Sequence, residues 1–193
     1  PFRDPHHTAS MAAIIGGGRG AKPGEVSLAH NGVLFMDEFP EYARNTLETL
    51  RQPIETGSVV VARANAHVRY PCRFLLIAAA NPCKCGQLTD PAQACSRAPI
   101  CGEDYLGRIS GPLLDRFDLR IEVPPVAYSD LNLPASGPSS AEVKARVETA
   151  RTVQANRFRA SPDVRSNADM QGQLLEDVCA TDTEGTAFLN RAA

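Results

Sequence analysis

Two carboxylates stand side by side at Asp37 and Glu38, directly after the apolar residues Val33, Leu34, Phe35 and Met36. An acid pair at the end of an apolar strand suits phosphoryl transfer: one carboxylate holds Mg²⁺, directly or through water, and the other orients or deprotonates the attacking water. The plainer account is a buried strand that ends in a solvated acidic turn. A second apolar run, residues 74–80, ends at Asn81-Pro82. An amide there could donate to a γ-phosphate or hold the water, and Asn-Pro is also an ordinary turn signal. Arg116 lies between Asp115 and Asp118, either in a local ion pair or as an arginine finger presented to a neighbouring subunit's nucleotide. Cys83, Cys85, Cys95 and Cys101 crowd one loop with irregular spacing; they could complete a tetrahedral zinc–thiolate site or remain thiols or an adventitious disulfide.

Both apolar runs lack polar alternation, which fits strands covered on both faces in a parallel α/β sheet, where ligands sit outside the carboxyl ends. Residues 1–5 read as extended and residues 9–15 as a short helix capped by Thr8 or His7. The glycines of residues 16–20 then break it. This loop fails as a phosphate cradle, because Lys22 is followed by Pro23, and as a dinucleotide loop, because Ala21 takes the place of the last glycine. It reads as a mobile insert whose Arg19 and Lys22 could meet an anionic strand, or as a plain surface loop.

Beyond the acid pair, residues 40 to about 52 read as one helix with Phe39, Ala43, Leu47, Leu50 and Ile54 on its core face. Residues 58–63 and 67–70 read as a hairpin carrying Arg63, His67 and Arg69, a cationic patch or simply its solvated positions. Ser110 caps a short helix with Pro112 in its first turn, and residues 119–123 form a further strand. The linker 129–138 is rich in Pro, Gly and Ser. After it, Ser139 and Glu142 form a capping box opening a helix to about 158, with Glu142 and Arg146 as an ion pair one turn apart. Weaker helical runs follow at 168–179 and 184–193, and Cys72 and Cys179 read as small buried hydrophobes.

The 193 residues, 43% of them hydrophobic, suffice for one domain and a small satellite. A net charge of -2 excludes a bulk basic surface, so any nucleic-acid contact must come from a local patch. No apolar run approaches a membrane span and no signal peptide opens the chain, so a cytoplasmic protein without membrane contact is expected. The six cysteines then favour metal over disulfide. A start at Pro1 and an end inside a helix-like run lead to the expectation that this is a piece of something longer.

The order of these pieces, acid-ended strand, helix, hairpin, amide-ended strand, arginine-bearing helix and helical satellite, resembles the AAA+ ATPases and more narrowly their magnesium-chelatase-like branch. The phrases PFRDPHHTAS, PGEVSLAHNGVLFMDE, NPCKCG and RISGPLLDRFDL resemble the ComM (YifB) competence-protein family over about residues 1 to 160. The resemblance implies an α/β fold: a partial P-loop NTPase core with a parallel sheet, helices and a pre-sensor hairpin over 1–128, a linker over 129–138, and an incomplete all-α lid over 139–193. It implies Asp37 as the Mg²⁺-linked Walker B acid, Glu38 as catalytic base, Asn81 as sensor 1 and Arg116 as the finger. Cys83, Cys85, Cys95 and Cys101 become the metal-ligand candidates, with the last pair spaced more widely than is usual in the family. ATP and Mg²⁺ are the implied cofactors and Zn²⁺ a further candidate. The implied partners are single-stranded or branched DNA, met by Arg19, Lys22, Arg63, His67 and Arg69, and sister subunits in a hexameric ring, in the service of branch migration during natural transformation. Walker A would precede Pro1 and sensor 2 would follow Ala193, so these residues alone are expected neither to bind ATP tightly nor to hydrolyse it. Rival readings are the ATPase subunit of a magnesium chelatase and a non-catalytic zinc-binding scaffold.

Overall fold

The computed structural model describes residues 1–18, 20–63, 66–88, 96–124, 126, 128–134, 137–161 and 163–192, with backbone alone at residues 63 and 66. The chain divides into two compact units, Pro1–Pro125 and Val126–Ala193.

In the first unit the elements are β1 (Phe2–Arg3), α1 (Met11–Ile15), β2 (Gly16–Gly17), β3 (Lys22–Pro23), α2 (Glu25–Leu28), β4 (Val33–Met36), α3 (Arg44–Thr49), α4 (Arg51–Thr56), β5 (Ser58–Arg63), β6 (Ala66–Pro71), β7 (Leu75–Ala78), α5 (Ile100–Leu106) and α6 (Gly111–Leu114). Among the described residues, β1, β4 and β7 form a parallel sheet with β4 in the middle. Val33 pairs with Leu75 and Met36 with Ala78. The ladder runs past the strand ends, since Leu75 N–H donates to the Gly32 carbonyl and Ala79 N–H to that of Met36. One face of the sheet, Leu34 and Met36 with Leu76 and Ala78, packs into a core with Ile14, Val26, Phe39, Leu47, Leu50 and Leu113.

The opposite face corrects the expectation of strands covered on both sides. Leu75 is 61% and Ile77 42% exposed, because the described core packs on the Leu34, Met36, Leu76 and Ala78 face alone. Phe2 stacks on Phe35 there, with ring centroids 6.2 Å apart.

Three local readings also change. α1 starts at Met11, where the Ser10 side chain accepts from Ala13 N–H, not at Thr8 or His7. The expected continuous helix after the acid pair is a 3-10 turn, Phe39–Glu41, followed by α3 and α4, jointed at Leu50. Pro53 has no N–H for the carbonyl four residues back, so a single helix through this point would leave a bond unmade. Phe39, Leu47 and Leu50 are buried as expected, but Ala43 is exposed, and Tyr42 and Thr46 take its place inside. Residues 119–123 form no strand; Leu119, Ile121 and Val123 are 80%, 79% and 86% exposed. A β-forming sequence without a neighbour to complete its ladder stays irregular.

The glycine-rich stretch is seated rather than loose. β2 and β3 pair antiparallel beside the β5–β6 hairpin, Ala21 is buried, and Tyr70 OH donates to the Ala21 carbonyl at 2.8 Å. Gly16 has φ +113°, and a Cβ there would lie 2.7 Å from the Lys22 carbonyl oxygen and 3.1 Å from Val61. A Cβ on Gly24 would lie 2.3 Å from the Gly16 nitrogen. On the other side, the Arg3 guanidinium grips the Glu25 carboxylate through two bonds of 2.6 and 2.8 Å, tying β1 to α2.

The second unit is helical, with α7 (Ser140–Arg157), α8 (Gly172–Val178) and α9 (Thr183–Ala192). The Ser139–Glu142 capping box forms as expected. It occupies Glu142, whose carboxylate accepts from the Ser139 N–H and hydroxyl and is thereby held below the usual carboxylate range. The expected pair with Arg146 is absent among the described residues, and Lys144 meets Glu148 instead. Phe158 is buried, with Arg157 over its ring, while Val143, Val147 and Val153 are exposed. Cys179 is exposed just past α8, not buried.

Gly24→Ala is expected to lower stability by about 1–3 kcal/mol through the backbone clash, read as a drop of several degrees in thermal midpoint. Gly111→Ala, where nothing lies within 4 Å of the added methyl, should stay within about 0.5 kcal/mol. Equal midpoints for the two variants would contradict the seated hairpin.

Candidate functional site

Parallel neighbours end at the same edge of a sheet. β4 therefore delivers Asp37 and Glu38, and β7 delivers Asn81 a few residues past its end, to one rim. The turn that presents the acids is constrained: Glu38 sits in the left-handed region at φ +50°, ψ +42°, which costs a side-chain-bearing residue about 1–2 kcal/mol. Two bonds hold it there. Glu38 N–H donates to Asp37 Oδ1 at 2.8 Å, and Phe39 N–H donates to the Ala79 carbonyl on the β7 side at 2.9 Å.

The residue that faces Glu38 lies far back in the chain. His7 Nδ1 is 2.7 Å from Glu38 Oε2. The sequence offered His7 only as a helix cap; nothing in local spacing links it to an acid 31 residues on. The His7 ring lies edge-on to Tyr42, and the Tyr42 hydroxyl donates to the Pro5 carbonyl. Burial pushes the Tyr42 phenol up to about 12, with Asp4 and Asp37 adding to the rise. Tyr105 is raised first by burial and then by Glu41, Glu38 and Asp37, while Arg108 opposes them. Arg108 reaches the Pro40 carbonyl and the Glu41 carboxylate, each at 3.1 Å. The rim thus gathers carboxylates on phenol and backbone supports.

Arg116 follows α6, whose Ser110 cap and Pro112 stand as expected. Its partner is neither Asp115 nor Asp118. Nε donates to Glu55 Oε1 on α4 at 2.7 Å, and a second guanidinium nitrogen donates to the same oxygen. Asp115 stands at the C-cap of α6, so the flanking acids are neighbours of the guanidinium in sequence while a more distant acid meets it in space. Phe117 packs edge-on to Phe39, with centroids 5.6 Å apart. The turn bearing Arg116 therefore rests on the residue directly after Glu38, although no bond among the described residues joins Arg116 to Asp37, Glu38 or Asn81.

Lys22 on β3 and His67 and Arg69 on β6 are exposed on two adjoining hairpins. Arg69 spans the hairpin to the Ser58 hydroxyl through two bonds of 3.0 and 2.8 Å. Arg19 and the Arg63 side chain lie outside the described residues.

The Cys83 and Cys85 sulfurs are 3.1 Å apart. The Cys83 thiol is lowered to about 7, chiefly by the Cys85 thiol and further by backbone donors of residues 85, 88 and 87, against the opposing effect of burial. Cys101 lies in α5 rather than in a loop. α5 comes so close that a Cβ on Gly102 would stand 3.0 Å from the Pro82 carbonyl and 2.5 Å from Leu88. Cys95 lies outside the described residues, and among those described no three potential ligands gather.

No helix among the described residues is long and apolar enough to cross a membrane. The family model described as magnesium chelatase, subunit ChlI, matches residues 1–131, and that of the subunit ChlI C-terminal region matches residues 137–193. The chain is 45% identical over 193 residues to the competence protein ComM of Haemophilus influenzae, covering 100% of this chain and 36% of that protein. It is 46% identical over 192 residues to YifB of Escherichia coli, covering 98% and 36%. Over 111 residues it is 30% identical to the magnesium-chelatase 38 kDa subunit of Acidiphilium rubrum, covering 58% and 26%. The chain spans about a third of the length of these ComM and YifB relatives.

The raised Tyr42 phenol has a consequence for alkaline stability. An unfolded tyrosine loses its proton near 10, whereas the folded one keeps it to about 12. Above pH 10 the unfolded state binds fewer protons, so this contribution, complete below that pH, is lost as pH rises through 12. Tyr42→Phe is expected to cost about 1 kcal/mol at neutral pH and to flatten that alkaline decline in urea unfolding. Identical alkaline profiles for the two proteins would refute it.

Proposed function

The chain belongs to the magnesium chelatase subunit ChlI family, and we propose that the whole protein is a DNA-acting AAA+ ATPase, a branch-migration motor of recombination that works in the cytoplasm as a hexameric ring. The observation that carries this reading is the shared rim: an acid pair and an amide at the ends of two adjacent parallel strands. It is supported by identity along the whole chain with a protein named for competence.

Bound Mg²⁺-ATP would supply the electrophilic γ-phosphoryl group and a cation to neutralise its charge. Asp37 would hold the cation. Glu38 would take the proton of the attacking water, and Asn81 would donate to the phosphate or hold that water. Arg116 would act across a subunit boundary, which requires it to exchange Glu55 for phosphate oxygens. Lys22, His67 and Arg69, with Arg19 and Arg63, would meet DNA phosphates from the two adjoining hairpins. That each hairpin is seated on the other supports a joint contact, because a rigid pair loses little entropy on binding.

A magnesium-chelatase subunit is the rival within the family, favoured by the Acidiphilium relative and opposed by the cysteine cluster. A zinc-binding scaffold is opposed by the intact acid pair. Zinc held by Cys83, Cys85, Cys95 and Cys101 is part of the proposal, supported by the 3.1 Å approach of the first two sulfurs.

In the full-length protein, Glu38→Gln is expected to keep ATP affinity within a few-fold while turnover falls by about 100-fold or more, and wild-type turnover should rise with DNA. Unchanged turnover removes Glu38 as the base, and turnover indifferent to DNA moves the reading to the chelatase side. The 193 residues contain no Gly-x-x-x-x-Gly-Lys-Ser/Thr cradle, so calorimetry on them alone should show no micromolar ATP binding. Elemental analysis returning one zinc per chain supports the thiolate site; no zinc removes it.

A further inference from the structure

The contact between His7 and Glu38 is more than the strand end requires. The Glu38 turn is already held at its backbone, by Glu38 N–H on Asp37 and by the next residue's Phe39 N–H on Ala79, yet the Glu38 side chain is half-exposed. A base on a swinging carboxylate is present only part of the time at its target, and confining it raises its effective concentration. His7 supplies that confinement: an ionised carboxylate only accepts, so the 2.7 Å approach places the proton on Nδ1 and directs it to Oε2. Among the described residues no other side chain bonds Glu38, and Oε1 is left as an acceptor.

The imidazole is itself braced. Its ring lies 4.2 Å from that of His6, whose Nδ1 meets the Thr8 hydroxyl at 2.8 Å. On the other side it meets Tyr42, which is tied to Pro5. Upstream, β1 fixes where the segment begins by pairing Phe2 with Val33, and Arg3 is clamped to Glu25.

We propose that His7 is a positioning residue for ATP hydrolysis, holding the Glu38 carboxylate through Nδ1–H so that its second oxygen is presented to the attacking water. This rests on Glu38 being the base. The test uses the full-length protein with His7→Leu, which keeps bulk, His7→Asn, whose amide nitrogen stands where Nδ1 does, and Glu38→Gln. Loss of a hydrogen bond to a charged group predicts that His7→Leu lowers kcat by about 10- to 100-fold with KM for ATP within about 2-fold, and that His7→Asn restores most of it. In the nucleotide-free protein, amide hydrogen exchange of residues 36–42 should rise in His7→Leu and return in His7→Asn. In the Glu38→Gln background, His7→Leu should cause no further loss.

Wild-type kcat and unchanged exchange in His7→Leu, with Glu38→Gln still slow, would overturn the role of His7 and leave the base intact. So would equal losses in both backgrounds, or loss without rescue by asparagine, which mark a structural defect. Glu38→Gln turning over at the wild-type rate would overturn the base and this inference with it.

Discussion

The parallel pairing of β4 with β7 is the constraint on which the rest of the first unit depends. Its register, from Val33 with Leu75 to Met36 with Ala78, makes both strands release the chain at one edge. A parallel pair cannot be closed by a tight turn, so the intervening residues must cross over. They do so as α3, α4 and the β5–β6 hairpin, which puts a cationic arm on the same connection that closes the acidic rim. Were the pairing antiparallel, Asp37 and Asn81 would leave from opposite edges and no common site could form.

From that rim the structure works outward through paired polar side chains. Glu38 turns to His7, Glu41 to Arg108, and Glu55 to Arg116. These pairs are partly exposed, and such pairs contribute little to stability. Their effect is on position: each joins a segment near the acids to one that is distant in sequence. The aromatic contact of buried Phe39 with partly buried Phe117 has the larger energetic role and gives the acidic turn and the arginine-bearing turn one shared support.

The two small hairpins follow the same logic. Gly16 and Gly24 let the backbones of β2 and β3 close together, and the Tyr70 bond to Ala21 fastens this pair to β6. Lys22, His67 and Arg69 are thereby brought onto adjoining arms of a chain whose net charge is -2.

Much of this was legible along the chain, and the limits are instructive. The apolar run 33–36, the acids and amide that end the two runs, and the Ser110 and Ser139 caps all follow from preferences that act within a turn or two of backbone. The strand at 119–123, the loose glycine loop and the buried Cys179 did not follow, because each depended on a neighbour that local pattern cannot name, whereas the continuous helix from 40 failed beside a local cause, Pro53. The amino-acid order by itself determined the elements, their succession and the chemistry at their ends. Only the tertiary structure decided that His7 faces Glu38, that Glu55 holds Arg116, and that one sheet face is packed while the other is exposed, because those contacts are set by strand register and helix packing between segments that spacing along the chain does not relate.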